Sequence, residues 1–308
     1  MKFGENPIYK VGGEVEKPFE QKAPTPKEKT ETPEGSGYKK QAQELVDSYR
    51  RFFNTFAKDV SLGFKLSDAF YIDLKNGEVN LATQWFAEKG FSEEQILWAV
   101  LHELSHFRDL AEDPERMMKN FNYITDRARK TAEVMMKKWE DKYGASDPEL
   151  IEKLKKSSRG KEGMNAAERA AYKIHHIFYN IFDDIFVNNL VHRKAPNYDK
   201  NSPGGQAIEA LYKEKLFPKT DYAALPRHLQ FLYALLREEM VPGEKLVLSP
   251  EVEAELSDKI LFTGGKYTPK EIVEQFIKPK SGRDTKAGER YFILQKTYNN
   301  NLDNLFLR

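Results

Sequence analysis

The stretch Leu101-His102-Glu103-Leu104-Ser105-His106 decides how the rest of this chain is read. Two histidines four apart on a helix project from one face, because successive turns stack side chains at i and i+4. Their imidazoles can grip one metal ion. Glu103 follows the first histidine and so lies beside such an ion rather than on it. Two ligands plus a carboxylate that takes a proton from water is the H-E-x-x-H arrangement of zinc hydrolases. The flanking residues predict a buried helix. Ser92 and Gln95 have the spacing of a capping box. Ile96, Leu97, Val100, Leu101, Leu104 and Phe107 leave little polar surface around it. Trp98 reads as a core residue of that helix.

A catalytic zinc takes three protein ligands and keeps one position for water. The third ligand is sought on a second apolar helix, predicted over residues 166–192, where His175-His176 and then Asn180, Asp183, Asp184 and Asn188 interrupt a run of Ile and Phe. Asn180, Asp184 and Asn188 fall at four-residue steps and form one polar stripe. A buried carboxylate is costly unless paired or metal-bound, and this helix offers no evident basic partner. Asp184 is therefore the first choice of third ligand. Asp183 is the runner-up, about 100° round the helix, and His176 a weaker candidate; the plain alternative has both acids facing solvent. Asn180 and Asn188 flank Asp184 and could orient it, or a histidine ligand. Five of the six histidines, 102, 106, 175, 176 and 192, lie in these two segments, which suggests a shared polar centre. Asp109, three residues after His106, reads as a surface acid, the alternative being the same orienting role. His192, Tyr179 and Tyr123 are of the right type to donate to an oxyanion, and the sequence does not choose among them.

Elsewhere the chain bounds the answer by exclusion. Its 308 residues suffice for one large domain or two small ones. A net charge of +1 with interleaved signs gives no nucleic-acid footprint. The apolar runs are too short to span a membrane, and no signal-peptide core follows Met1, so a cytoplasmic site is the default expectation. There is no cysteine, which excludes a disulfide scaffold, a Cys-ligated zinc finger and a thiol nucleophile.

Residues 1–37, rich in Pro, Glu, Lys and Gly, read as a disordered tail. Leu45, Tyr49, Phe52, Phe53 and Phe56 then recur at helical steps from Tyr38 to about Val60. Phe70-Tyr71-Ile72-Asp73 and Val79-Asn80-Leu81 flank Asn76-Gly77, the signal of a β-hairpin. An edge strand there could pair with an extended peptide, or the hairpin could simply cover the helix. A helical insertion is expected over 115–165. Beyond Pro196 a polar loop leads to helices near 207–215, 225–239, 249–261 and 269–276, with Ser249 as a cap. His228 reads as core. The expected class is mainly α (α+β), with a small antiparallel β unit. The expected domains are a core over 38–195 and a helical C-terminal region over 196–308.

His102-Glu103-x-x-His106 followed by Asn180-x-x-x-Asp184-x-x-x-Asn188 resembles the metallopeptidase-like domain found with von Willebrand A domains in bacteria. Ala207-Ile208-Glu209-Ala210-Leu211-Tyr212 is also similar to that family's segment after the second helix. The likeness covers about residues 70–215. It implies a zincin-like fold, zinc on His102, His106 and Asp184, and a possible von Willebrand A partner domain. The chain differs in its insertion after the first helix and in its second acid, Asp183. The function expected is zinc-dependent cleavage of a protein or peptide, with Glu103 as general base. The alternatives are a catalytically inactive metal-binding module and an amidohydrolase of non-peptide substrates.

Overall fold

Helix α1 (Pro33–Ala57) buries Ala42, Leu45, Val46, Phe53 and Phe56; of the expected stripe, Leu45, Phe53 and Phe56 face inward and Tyr49 is half-buried. Phe52 lies off that stripe and is 45% exposed. The helix starts at Pro33, so five residues assigned to the tail are helical; Pro suits a first helical position, where its missing N–H costs nothing. The computed structural model describes residues 33–58, 61–67, 71–73, 76–82, 91–156, 164–262, 264–277 and 297–305. The rest of the expected tail lies outside them.

Three short strands follow: β1 (Gly63–Ser67), β2 (Tyr71–Asp73) and β3 (Glu78–Ala82). The expected hairpin is β2 against β3, antiparallel, with Asp73 opposite Glu78. Gly77 takes φ +63°, which glycine adopts without strain. Asn76 N–H donates to Asp73 Oδ1 at 3.2 Å. Phe70, expected in the first strand, lies outside the described residues. A third strand went unforeseen. β1 pairs parallel with β3, so β3 is central in the order β1-β3-β2 and the sheet is mixed. Its middle strand buries Val79 and Leu81 completely.

Among the described residues the remaining elements are helical apart from one two-stranded ribbon. They are α2 (Glu93–Glu112), α3 (Pro114–Tyr143), α4 (Pro148–Lys156), α5 (Ala166–Lys194), a 3-10 turn (Pro196–Tyr198), α6 (Pro203–Leu211), a π-turn (Tyr212–Leu216), α7 (Arg227–Met240), α8 (Pro250–Ser257), β4 (Ile260–Phe262), β5 (Gly265–Tyr267) and α9 (Pro269–Ile277). A last helical segment covers 297–305. The chain is thus mainly α. Among the described residues no helix is long and apolar enough to cross a membrane.

The chain groups into two compact units, neither continuous in sequence. The first comprises residues 1–108 and 187–218, the second 109–186 and 219–308, a partition that cuts across the expected division at 195–196. Helices α2 and α5 each run from one unit into the other.

In the first unit, the start of α6 packs close under the turn before it. A Cβ on Gly205 would lie 2.0 Å from the Asp199 carbonyl oxygen, so only glycine fits. Ser202 Oγ accepts from Gly205 N–H and caps the helix. This cap starts α6 at Pro203 rather than at Ala207 as expected.

In the second unit, the expected insertion is part of the core. Ala128, Ala132 and Met135 of α3 pack on Ala167 and Ala171 of α5. Asn165 and Glu168 form a capping box at the start of α5: each side chain accepts from the other's backbone N–H, at 2.9 and 2.8 Å. Phe178, Phe182 and Phe231 surround Tyr298, with ring centroids 5.2–6.1 Å away. Ser249 stands at the cap position of α8, yet its hydroxyl makes no capping bond there. Its backbone N–H instead donates to Gln230 Oε1 at 2.8 Å.

His175 also belongs to this second core. It is 1% exposed, its Nε2 lies 3.0 Å from Thr131 Oγ1, and its Nδ1 has no hydrogen-bond partner among the described residues. Burial, helped by the charge of Arg127, pushes its pKa down to about 4 from 6.5. The unfolded chain therefore binds the extra proton first, and stability falls as the pH drops from about 6.5 to about 4. His175→Gln should flatten that slope. Urea unfolding at pH 7 and pH 4.5 is expected to show a stability loss about 2 kcal/mol larger in the natural chain than in the variant. Burial lowers His228 to about 4 as well, although the residue is half-buried rather than the core residue expected.

Candidate metal centre

Helix α2 presents the histidines because its start is fixed and its sides are apolar. Gln95 N–H donates to Ser92 Oγ at 3.3 Å, and Ser92 N–H donates to Gln95 Oε1 at 3.1 Å, the reciprocal capping box expected there. Val100, Leu101 and Leu104 are fully buried, and Trp98 is 2% exposed. Gln95 Nε2 donates to the Ala207 carbonyl at 3.3 Å, and Tyr198 Oη donates to the Glu94 carbonyl at 3.0 Å, which anchors the start of α2.

His102 is buried and His106 half-buried. Their Nε2 atoms lie 3.1 Å apart, with the rings edge to face at 83°. Two nitrogen lone pairs at that distance repel unless a proton or a cation stands between them. A tetrahedral zinc with Zn–N bonds of about 2.05 Å would set two such nitrogens roughly 3.3 Å apart.

The other nitrogen of His102 explains which tautomer is present. His102 Nδ1 lies 2.8 Å from Asn188 Oδ1 on α5, and both residues are buried. An amide oxygen only accepts, so Nδ1 carries the proton and Nε2 keeps its lone pair for a metal. Asn188 Nδ2 donates in turn to Tyr212 Oη at 3.0 Å.

Asp184 stands one turn before Asn188 on the same helix and is 5% exposed. One carboxylate oxygen of Asp184 and one ring nitrogen each of His102 and His106 lie within 4.8 Å of one another. The donor set is two imidazoles and a carboxylate, with one tautomer set by a neighbouring amide, and it suits a divalent transition metal such as zinc. Glu103 is 6% exposed on the same helix as the histidines. A carboxylate is costly to bury without a partner.

Several expected positions resolve differently. Asp109 is not a surface acid: it is 4% exposed, because it follows His102 by seven residues and so returns to the same helix face. Asp183 is half-buried while Asp184 is buried, so the reading with both acids facing solvent fails for Asp184. Asn180 donates to His176 Nδ1 at 3.3 Å, which occupies both residues with each other. His176 is absent from the cluster of metal-capable groups found among the described residues. The five histidines do not share one centre. His192 Nδ1 is hydrogen-bonded to the Tyr198 carbonyl, and its ring lies 4.8 Å from Trp98.

Of the three oxyanion candidates, Tyr123 accepts from Asn299 Nδ2 at 2.9 Å and His192 is engaged as above. Tyr179 is 5% exposed; burial, then the charges of Asp183 and Asp109, hold its phenol well above the ordinary range, so it keeps its proton. Sequence reasoning gave no role to Tyr212. The available signal was a tyrosine on the buried face of Ile208 and Leu211, where a hydroxyl needs a partner.

No protein-family model matches this chain, and no solved structure matches it. A protein of Treponema pallidum (strain Nichols), described only as uncharacterized, is 24% identical over 165 residues. The match covers 51% of this chain and 24% of that protein, so the shared segment spans about a quarter of the relative's length.

Proposed function

We propose that this chain is a zinc-dependent, metallopeptidase-like hydrolase with a zincin-like core, and that it acts on a protein or peptide. One observation carries the reading: the imidazoles of His102 and His106 on α2 and the buried carboxylate of Asp184 on α5 offer ligand atoms within 4.8 Å of one another, and α2 also carries buried Glu103. His102, His106 and Asp184 would hold the ion. When bound, zinc supplies Lewis acidity that polarises an amide carbonyl and acidifies water.

The chain's own residues do the rest. Asn188 holds His102 with its proton on Nδ1, so the ligand nitrogen needs no deprotonation. Glu103 takes a proton from water at its carboxylate and delivers it to the leaving amine. Neighbouring helix positions diverge by about 100°, which keeps Glu103 off the ligand set while leaving it close by. In this reading, as in the family resembled, a von Willebrand A domain is the partner proposed.

A peptide-library assay with metal removal tests the proposal. Cleavage should stop when a chelator strips the protein and return when zinc is restored. Persistent cleavage by the stripped chain would contradict the mechanism. Zinc binding with no cleavage of any peptide or simple amide would leave a binding module.

A further inference from the structure

We infer that Asn76 is a site of spontaneous covalent modification, deamidation through a cyclic imide, and that Asp73 holds it in check. Asn76 and Gly77 lie in the turn between β2 and β3, and Asn76 is exposed. An asparagine cyclises when the backbone nitrogen of the next residue attacks its side-chain carbonyl carbon. The new N–C bond closes a five-membered succinimide ring. The C–NH2 bond breaks, and ammonia leaves with the proton that the attacking amide gives up. Water then opens the ring at either carbonyl. One opening leaves aspartate; the other leaves isoaspartate, with the main chain routed through the side chain. A side chain on the attacking residue hinders the first step, and Gly77 has none. A Cβ built there would meet nothing within 4 Å, so the space beside the attacking nitrogen is open. The chain's other asparagines are each followed by a larger residue.

The fold sets both the restraint and the consequence. Asp73 Oδ1 accepts from the Asn76 backbone N–H at 3.2 Å, and Asp73 Oδ2 accepts from Asn76 Nδ2 at 2.7 Å. This clasp holds the side-chain amide that must swing towards the Gly77 nitrogen, and breaking it costs the hydrogen bond to a charged group. In the unfolded chain the clasp is absent. Conversion to aspartate replaces the Nδ2 donor by a second carboxylate facing Asp73, and like charges repel. Conversion to isoaspartate lengthens the main chain by one carbon within a turn whose flanks are paired, Asp73 opposite Glu78. The Gly77 carbonyl also accepts from Gly63 N–H at 2.9 Å, where the parallel pairing of β1 with β3 begins. A change at residue 76 therefore reaches both neighbours of the central strand.

The test ages the full natural chain at neutral pH, folded and in urea, and follows the peptide carrying residues 76 and 77 by mass spectrometry. Asn201 is the internal reference: it is exposed, its backbone N–H donates to Asp199 Oδ1 at 3.0 Å, and Ser202 follows it. Product should accumulate at Asn76 faster than at Asn201 in the folded chain, and faster still at Asn76 in urea. Asp73→Ala should raise the folded rate by about 2- to 10-fold, the rate equivalent of one lost hydrogen bond, and leave the rate in urea unchanged. Asn76→Gln, whose ring closure would need six members, should stay unmodified. Amide hydrogen exchange at Gly63 should be faster in the aged natural chain than in Asn76→Gln. A folded rate at Asn76 no greater than at Asn201 would overturn the site. Equal rates folded and in urea, or no change in Asp73→Ala, would overturn the clasp. Equal exchange at Gly63 would overturn the effect on the sheet.

Discussion

Glu103→Gln is expected to leave the metal bound and the fold intact while lowering hydrolysis by about 10² or more, the usual scale for losing a general base. The amide keeps the shape of the carboxylate and one hydrogen-bond acceptor, but cannot hold a transferred proton at neutral pH. Glu103 is buried, so a substitution that left its site smaller or unpaired would disturb packing as well. Glutamine avoids the first change and limits the second. The comparison is made on a cleaved peptide, with metal content measured on the same samples. Full activity in the variant would contradict the assigned role. Loss of metal would make Glu103 part of the ligand set.

Asp184→Ala is expected to weaken zinc binding strongly, and Asp183→Ala much less. Asp184 is buried and belongs to the group whose ligand atoms converge; Asp183 is half-buried and lies outside it. Removing one of three protein ligands leaves an incomplete site, whereas removing a neighbouring charge changes only the local field. Chelator competition on the two variants separates them. The reverse order of affinities would exchange the roles of the two acids and detach this chain from the motif it resembles.

How far the sequence led can be judged residue by residue. The histidine helix was legible because three signals agree: the i, i+4 spacing, the Ser92–Gln95 cap and an apolar surround. The stripe of Asn180, Asp184 and Asn188 marked the second helix correctly. Spacing alone could not tell that Asn180 would turn to His176 and Asn188 to His102, since that depends on which helix packs alongside. Strand β1 was missed because five residues with two buried-type side chains fall below the length at which alternation speaks. Its partner β3 lies eleven residues further on, and parallel pairing leaves no turn to announce it. Asp109 was misread by type, since an aspartate three residues beyond His106 looks like surface until the return to His102's face is counted. The histidine count misled in the same way: His175, His176 and His192 each found a local partner, and a shared helix did not mean a shared centre. Tyr212 offered only the signal of a tyrosine on the buried face of Ile208 and Leu211, and its place depends on a π-turn, which has no reliable sequence signal.

The claim on which all of this rests is that His102, His106 and Asp184 hold a metal ion. Elemental analysis of the purified chain, set beside His102→Ala and His106→Ala, tests it most directly. The account predicts one zinc per natural chain and loss of zinc in both variants, with folding judged by circular dichroism. Absence of metal from a natural chain supplied with zinc, or full occupancy in both histidine variants, would contradict it.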